Sequence, residues 1–257
     1  MGYQQIDVNN GYSFRTVTFK NITQTEFDLT DILPLHADGT PFGETFADRC
    51  AGNVTVRKID AKGYYGTTYA YWSVGEEGAG WSTDDGETCI KPGVVKLKAG
   101  EGLIVWNDLA DIDTDDPLAM KFQVSGEVDL SPRSVFGNGY SFGGNATPVE
   151  IDLTKIIPLR KDEGGNWVEF GETFADRCAG NVTVRKIDAK GYYGTTYAYW
   201  SVGEEGAGWS TDDGETCIKE NTVKFAPGEG FILWNDLADI DTEDPLDVAL
   251  RLPAPIK

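Results

Sequence analysis

The chain has 257 residues, of which 42 are Asp or Glu and 22 are Lys or Arg, so its formal net charge is -20. An acidic balance of this size excludes sequence-blind binding to nucleic-acid phosphates and electrostatic attachment to an anionic membrane surface. A hydrophobic content of 40% supplies a core but no apolar run long enough to span a bilayer, so we predict a folded protein without membrane insertion.

An internal repeat organises the whole chain. Residues 42–91 recur without a single change at 170–219, an offset of 128 residues, and weaker similarity continues on both sides of this block. Each half is long enough to bury a core of its own. We therefore predict two modules from an internal duplication, at 1–130 and 131–257, with 131–137 as a short connection.

The predicted elements of one module, in chain order, begin with a short helical turn at 28–35 that Pro34 ends. The strand-like segments that follow are 54–57, 69–74, 95–98, a continuous apolar run at 103–106, and 120–124. Gly-rich turns separate these segments. The pattern predicts an all-β protein of two tandem β-sandwich (immunoglobulin-like) modules, with a small barrel as the alternative. This layout resembles the tandem immunoglobulin-like repeats of bacterial surface proteins.

Each module carries one pair of cysteines in the same relative positions. The spacing is not that of a zinc site, and we predict one disulfide in each module, Cys50–Cys89 and Cys178–Cys217. Disulfides indicate an oxidising compartment, so we expect an extracellular or cell-surface protein. The alternatives are four buried free thiols in a cytosolic protein, or bridges between modules or chains.

An acidic segment follows the apolar run in each module. Its alternating carboxylates suit a hard cation such as Ca²⁺, which takes six to eight oxygen ligands. The candidate ligands are Asp108, Asp111, Asp113 and Asp115 in the first module, and Asp236, Asp239, Asp241 and Glu243 in the second. A solvated acidic loop is the alternative interpretation, and no other cofactor is predicted.

Aromatic residues are concentrated on one predicted strand. If Ala70 and Trp72 face inward, the alternation places Tyr69 and Tyr71 outward, and likewise Tyr197 and Tyr199 in the second module. Outward tyrosines could stack on a sugar ring or on a partner protein. The alternative role is cross-strand pairing that stabilises the sheet.

No catalytic residues are predicted. Residues 139–143 match the G-x-S-x-G pattern of a nucleophile elbow, but that site needs a later histidine and none follows His36. We therefore predict that the protein is not an enzyme.

Two functions fit these features. The first is a non-enzymatic extracellular structural protein, the subunit of a filament, sheath or surface layer, which self-associates through repeated module contacts or strand addition. The alternative is a tandem surface adhesin or carbohydrate-binding module, in which two weak sites gain avidity on a repetitive glycan or surface protein.

Overall fold

A computed structural model of the protein describes residues 2–16, 26–98, 100–110, 118–126, 133–237 and 246–254. Within these ranges the chain is all-β, as predicted, with two single turns of 3-10 helix at Leu29–Asp31 and Leu153–Lys155. The strands of the N-terminal repeat are β1 Gly2–Val8, β2 Gly11–Thr16, β3 Glu26–Asp28, β4 Leu33–His36, β5 Ala51–Ile59, β6 Tyr65–Gly75, β7 Gly78–Ser82, β8 Lys96–Lys98, β9 Gly102–Asn107 and β10 Met120–Gly126. Those of the C-terminal repeat are β11 Arg133–Phe136, β12 Gly139–Gly144, β13 Ile151–Asp152, β14 Ile157–Lys161, β15 Trp167–Glu169, β16 Ala179–Ile187, β17 Tyr193–Gly203, β18 Gly206–Ser210, β19 Lys224–Phe225, β20 Gly230–Asn235 and β21 Val248–Arg251.

The two repeats share one sheet arrangement except that β15 adds a fourth strand to the smaller main sheet of the C-terminal repeat, and all pairings among the described strands are antiparallel. The N-terminal repeat has a five-stranded sheet β2-β9-β5-β6-β7, a three-stranded sheet β1-β10-β4 and the short pair β3-β8. The C-terminal repeat has the sheets β12-β20-β16-β17-β18 and β11-β21-β14-β15, and the pair β13-β19. No helix in the described ranges is long and apolar enough to cross a membrane.

The segment predicted as a connection is a strand. Val8 of β1 lies opposite Met120, and Phe136 of β11 lies opposite Val248, which is the same register at an offset of 128 residues. Strand β11 is therefore the counterpart of β1, and the prediction of 131–137 as a linker was wrong for its described residues. The side chains of β1 and β11 differ, so the repeat could not be seen in the sequence at this point. The register of a strand depends on its neighbouring strands more than on its own side chains.

The helical turn predicted at 28–35 is present only as a single turn of 3-10 helix at Leu29–Asp31, and Pro34, which was expected to end it, lies in strand β4. Asp28 caps this turn, because its carboxylate accepts a hydrogen bond from the backbone N–H of Thr30 at 3.0 Å. Asp152 caps the equivalent turn in the C-terminal repeat through the N–H of Thr154 at 2.8 Å. The chain then continues directly into β4 or β14, so the turn sets the angle at which each strand enters its sheet.

Each repeat has a hydrophobic core of its own, to which both of its main sheets contribute. A buried tryptophan lies in each core. The Trp81 ring meets Tyr71 edge-on at 5.4 Å and Phe122 at 6.3 Å, and its indole N–H donates to the Ile32 carbonyl at 3.0 Å. Trp209 repeats the contact with a carbonyl, that of Ile156, at 2.9 Å.

A third buried cluster lies between the repeats, and we call this contact the seam. Its members are Phe14, Ile104, Phe142 and Ile232. The Phe14 and Phe142 rings are 4.7 Å apart at its centre. This contact explains the continuous apolar run in β9, because Leu103 and Val105 face the core of their own repeat while Ile104 faces the other repeat.

The seam is reciprocal. The backbone N–H of Tyr12 donates to the carbonyl of Ala189 at 2.7 Å, and that of Tyr140 donates to the carbonyl of Ala61 at 2.8 Å. These two bonds are equivalent at the offset of 128 residues. An interface is isologous, with two-fold character, when each contact is repeated by the counterparts of its two residues with the repeats exchanged. The two repeats therefore pair like the halves of a dimer and not head to tail.

Candidate functional site

The predicted outward tyrosines face the cores. Tyr71 is 6% exposed and Tyr199 is 5% exposed, while Tyr69 and Tyr197 are partly buried against the same clusters. The predicted orientation was therefore wrong. The reason is Trp72, whose indole ring occupies the opposite face of the strand.

Two glycines make room for that indole ring. A Cβ atom at Gly52 would lie 2.9 Å from the Trp72 ring, and one at Gly86 would lie 2.8 Å from it. Only residues without a side chain fit there, so the outer face accepts the larger ring and the tyrosines face inward.

The four cysteines are free thiols, so the predicted Cys50–Cys89 and Cys178–Cys217 disulfides are absent. Cys50 is fully buried in the core at the start of β5, whereas the sulfur of Cys89 lies over Gly80 in β7. Strand β6 lies between them, which places their backbones about 10 Å apart or more. A disulfide needs Cα atoms closer than about 7 Å.

Burial makes Cys50 and Cys178 weak nucleophiles. Desolvation raises the pKa of both thiols from the ordinary 9.0 to about 11. We expect both to react with a thiol reagent at pH 8 about a hundredfold more slowly than in urea, because the thiolate is the reacting form. Since the folded pKa is raised, the stability from these neutral thiols is complete below about pH 9 and is lost as the pH rises towards 11. Equal rates in native and unfolded protein would contradict this.

Most of the predicted calcium ligands lie outside the described residues: Asp111, Asp113, Asp115, Asp239, Asp241 and Glu243. Asp108 and Asp236, the first residues of the two acidic segments, are described. The backbone N–H of Asp108 donates a hydrogen bond to the Asn53 carbonyl, and that of Asp236 donates to the Asn181 carbonyl, both at 2.8 Å. In the described ranges no group of three or more metal-ligating side chains is present. The calcium site stays a prediction.

The structure brings together a different site, a cleft that occurs once in each repeat. We call it the Phe cleft. In the N-terminal repeat it has a volume of about 620 Å³ and includes His36, Phe46, Asp48, Arg49, Asn53 and Leu118 in its walls. In the C-terminal repeat it has a volume of about 490 Å³ and includes the counterparts Arg160, Phe174, Asp176, Arg177, Asn181 and Leu246. Both volumes are in the range of ligand sites.

An exposed phenylalanine marks each Phe cleft. Phe46 and Phe174 are both 87% exposed, more than any other large hydrophobic residue among those described. The guanidinium of Arg49 lies 5.1 Å from the centre of the Phe46 ring, and that of Arg177 lies 5.0 Å from the Phe174 ring. Each cation stacks on its ring and limits the directions in which the ring can point.

A basic side chain and a carboxylate lie close together in the loop behind each ring. His36 Nε2 lies 2.8 Å from Asp48 Oδ1, outside hydrogen-bond geometry, and in the other repeat an Arg160 nitrogen lies 3.2 Å from Asp176 Oδ2. Hydrogen bonds from Thr173, assisted by the Arg160 charge, lower the pKa of Asp176. The partner of the carboxylate thus changes from histidine to arginine between repeats, while the pairing itself is kept.

Sequence reasoning missed the Phe clefts. A single phenylalanine in a polar loop has no periodic partner, and its exposure depends on the fold of the loop. The sequence contained one indication, an arginine three residues after the phenylalanine in both repeats. In the structure this arginine stacks on the phenylalanine ring. No protein-family model, curated protein or solved structure matches the chain. The geometry of the clefts is therefore the starting point for a function.

Proposed function

We propose that the protein is a non-enzymatic subunit of an extracellular filament, sheath or surface layer, and that copies of the chain associate through the Phe clefts. The observation that carries this proposal is the 87% exposure of Phe46 and Phe174 at equivalent places in two repeats. A large exposed aromatic ring beside an arginine is the composition of an interface hot spot. The exposed Leu118 and Leu246 extend the apolar surface of each cleft.

The reciprocal seam changes the route of assembly that the sequence suggested. Continued head-to-tail stacking of modules has no precedent inside the chain, because the repeats pair across a two-fold contact. A chain with two equivalent clefts can still grow without closing. If each cleft pairs with a cleft of another copy, every chain has two partners and the product is an open polymer.

The net charge of -20 opposes association between copies. Salt weakens this repulsion, since the Debye length falls from about 30 Å at 0.01 M to about 8 Å at 0.15 M ionic strength. The contact between apolar rings is not weakened in the same way. Assembly through the Phe clefts should therefore increase with salt concentration.

The test is the absolute mass of the protein in solution by light scattering, at low and at physiological salt. We expect wild-type protein to form polymers of its 28.1 kDa chain. The variant Phe46→Ala should stop at dimers, because only one cleft per chain remains, and Phe174→Ala should do the same. The double variant should be monomeric, since loss of a hot-spot ring costs about 2 kcal/mol or more in binding.

The double variant Tyr64→Ala/Tyr192→Ala is a matched control, because both tyrosines are 69% exposed but lie outside the clefts. It should polymerise like the wild type. A wild-type protein that is monomeric at every salt concentration would overturn the proposal. So would a Phe46→Ala/Phe174→Ala variant that polymerises normally.

We also propose the immunoglobulin-like module type, the extracellular location and the calcium binding that the sequence predicted. Two main sheets sharing one core in each repeat support tandem β-sandwich modules of the immunoglobulin-like kind. An extracellular location and calcium binding by the acidic segments are kept as parts of the proposal. Repeating the light-scattering measurement with added calcium would show whether the cation contributes to assembly.

A further inference from the structure

A strip of aromatic and basic side chains runs across the seam, and we call it the arginine–tyrosine strip. Its members are Tyr12, Arg57, Tyr65 and Trp106 from the N-terminal repeat and the counterparts Tyr140, Arg185, Tyr193 and Trp234 from the C-terminal repeat. Tyr65 is 50% exposed and Tyr193 is 51% exposed. The strip lies on the outer faces of the two five-stranded sheets and is distinct from both Phe clefts.

The two halves of the strip are continuous. Burial, with Tyr193 of the other repeat as a neighbour, raises the pKa of Tyr65, which places the two tyrosines near each other across the seam. On each side a half-buried tryptophan stacks on a tyrosine, with ring centres 4.4 Å apart for Tyr12–Trp106. An extended ligand lying across Tyr65 and Tyr193 would therefore contact equivalent residues from both repeats.

The arginines of the strip have no acidic partner. Arg57 lies 5.8 Å from the centre of the Tyr65 ring, and Arg185 lies 6.0 Å from the Tyr193 ring. In the described part of the chain neither guanidinium is within ion-pair distance of a carboxylate. By contrast, most described lysines and the arginines Arg160 and Arg251 do have such a partner. The two positive charges are available to a ligand.

A threonine adds a polar group beside each arginine. Thr55 lines the shallow depression formed by Tyr12, Arg57 and Trp106. Its counterpart Thr183 is 9% exposed, and its hydroxyl has no hydrogen-bond partner among the described residues. A buried hydroxyl without a partner costs free energy, and this one lies beneath the surface on which a ligand would rest.

We propose that the arginine–tyrosine strip binds oligosaccharides of carboxylated sugars, the hexuronates. Tyrosine and tryptophan faces stack on the apolar face of a sugar ring, and a guanidinium pairs with a carboxylate through two parallel hydrogen bonds. The depression holds only about 20 Å³, so the sugar lies on the strip and is not enclosed by it. At physiological salt charges farther apart than about 8 Å are largely screened, so the net charge of -20 opposes binding of an acidic sugar less than it does at low salt.

The experiment is isothermal titration calorimetry of the full chain with trigalacturonate and with its methyl ester. The ester keeps the sugar rings and removes the negative charges. We expect trigalacturonate to bind about tenfold or more tightly than the ester, as for one charge-assisted hydrogen-bonded pair. The variant Arg57→Lys/Arg185→Lys should weaken this preference, because lysine keeps the charge but cannot form the two parallel hydrogen bonds of the planar guanidinium. The variant Tyr65→Ala/Tyr193→Ala should bind both ligands more weakly.

The control variant is Arg49→Lys/Arg177→Lys, which changes two arginines that also stack on aromatic rings but lie in the Phe clefts. It should bind trigalacturonate like the wild type. Equal affinity for the acid and the ester, or binding of neither, would overturn the proposal, as would unchanged binding by Arg57→Lys/Arg185→Lys. That last variant should still polymerise, so the sugar site and the assembly proposal fail or succeed separately.

Discussion

Replacement of Trp81 by alanine is expected to lower the free energy of unfolding by about 3–5 kcal/mol, the usual cost of removing a buried aromatic side chain. Trp81 is 2% exposed and contacts Tyr71 and Phe122, which come from different sheets of the N-terminal repeat. The cavity left by the indole would weaken the contact between these sheets. The Ile32 carbonyl would also lose the indole N–H that it accepts.

Urea unfolding followed by circular dichroism measures this loss. Trp209→Ala should cost a similar amount, because Trp209 keeps the contact with Tyr199 and the hydrogen bond to the Ile156 carbonyl. Phe46→Ala is the control, since a ring that is 87% exposed contributes little to folding. A loss of less than 1 kcal/mol for Trp81→Ala would show that the core does not depend on the indole.

The variant Gly102→Val/Gly230→Val is expected to separate the two repeats while leaving each core folded. A Cβ atom at Gly102 would lie 2.7 Å from the Gly143 carbonyl oxygen, and one at Gly230 would lie 2.7 Å from backbone atoms of Phe14. Both neighbours belong to the backbone of the opposite repeat, so they cannot rotate away. Each substitution should cost about 1–3 kcal/mol, the usual range for overpacking.

Small-angle X-ray scattering should show a larger radius of gyration for this variant at unchanged strand content. Gly66→Val/Gly194→Val is the matched control, because the nearest atoms to an added Cβ are carbonyl oxygens at 3.6 Å and 3.5 Å, an ordinary contact. If the seam variant scatters like the wild type and unfolds at the same urea concentration, the reciprocal seam is not the contact that holds the repeats together.

Five of the ten strands of the N-terminal repeat, β5, β6, β8, β9 and β10, were predictable because their side chains alternate or form an apolar run. Val54 and Val56 are buried in β5, and Leu103 to Val105 are buried in β9, as the sequence pattern indicates. The phase of β6 was not predictable, since Tyr71 and Trp72 are both large aromatic residues and either could face the core. Gly52 and Gly86 determine which ring faces outward, because they leave room for the indole ring of Trp72, and both are distant from Trp72 in sequence.

The sites depended on contacts between distant segments, and the sequence predicted them poorly. Two cysteines per module suggested a disulfide, but β6 separates Cys50 from the segment that holds Cys89. The Phe cleft requires a loop, the end of β4 and the residues around Leu118 to meet. The arginine–tyrosine strip requires two repeats to face each other, and a repeat in sequence does not reveal how its copies pack.

The reciprocal seam has a consequence for how the two copies can change over time. Joining the halves of a two-fold pair in one chain replaces a bimolecular encounter with an intramolecular one, at an effective concentration in the millimolar range for a short tether. The pair then no longer depends on protein concentration. Once tethered, the copies are also free to differ where they touch, and Arg15 in β2 already faces Glu229 while its counterpart is Gly143.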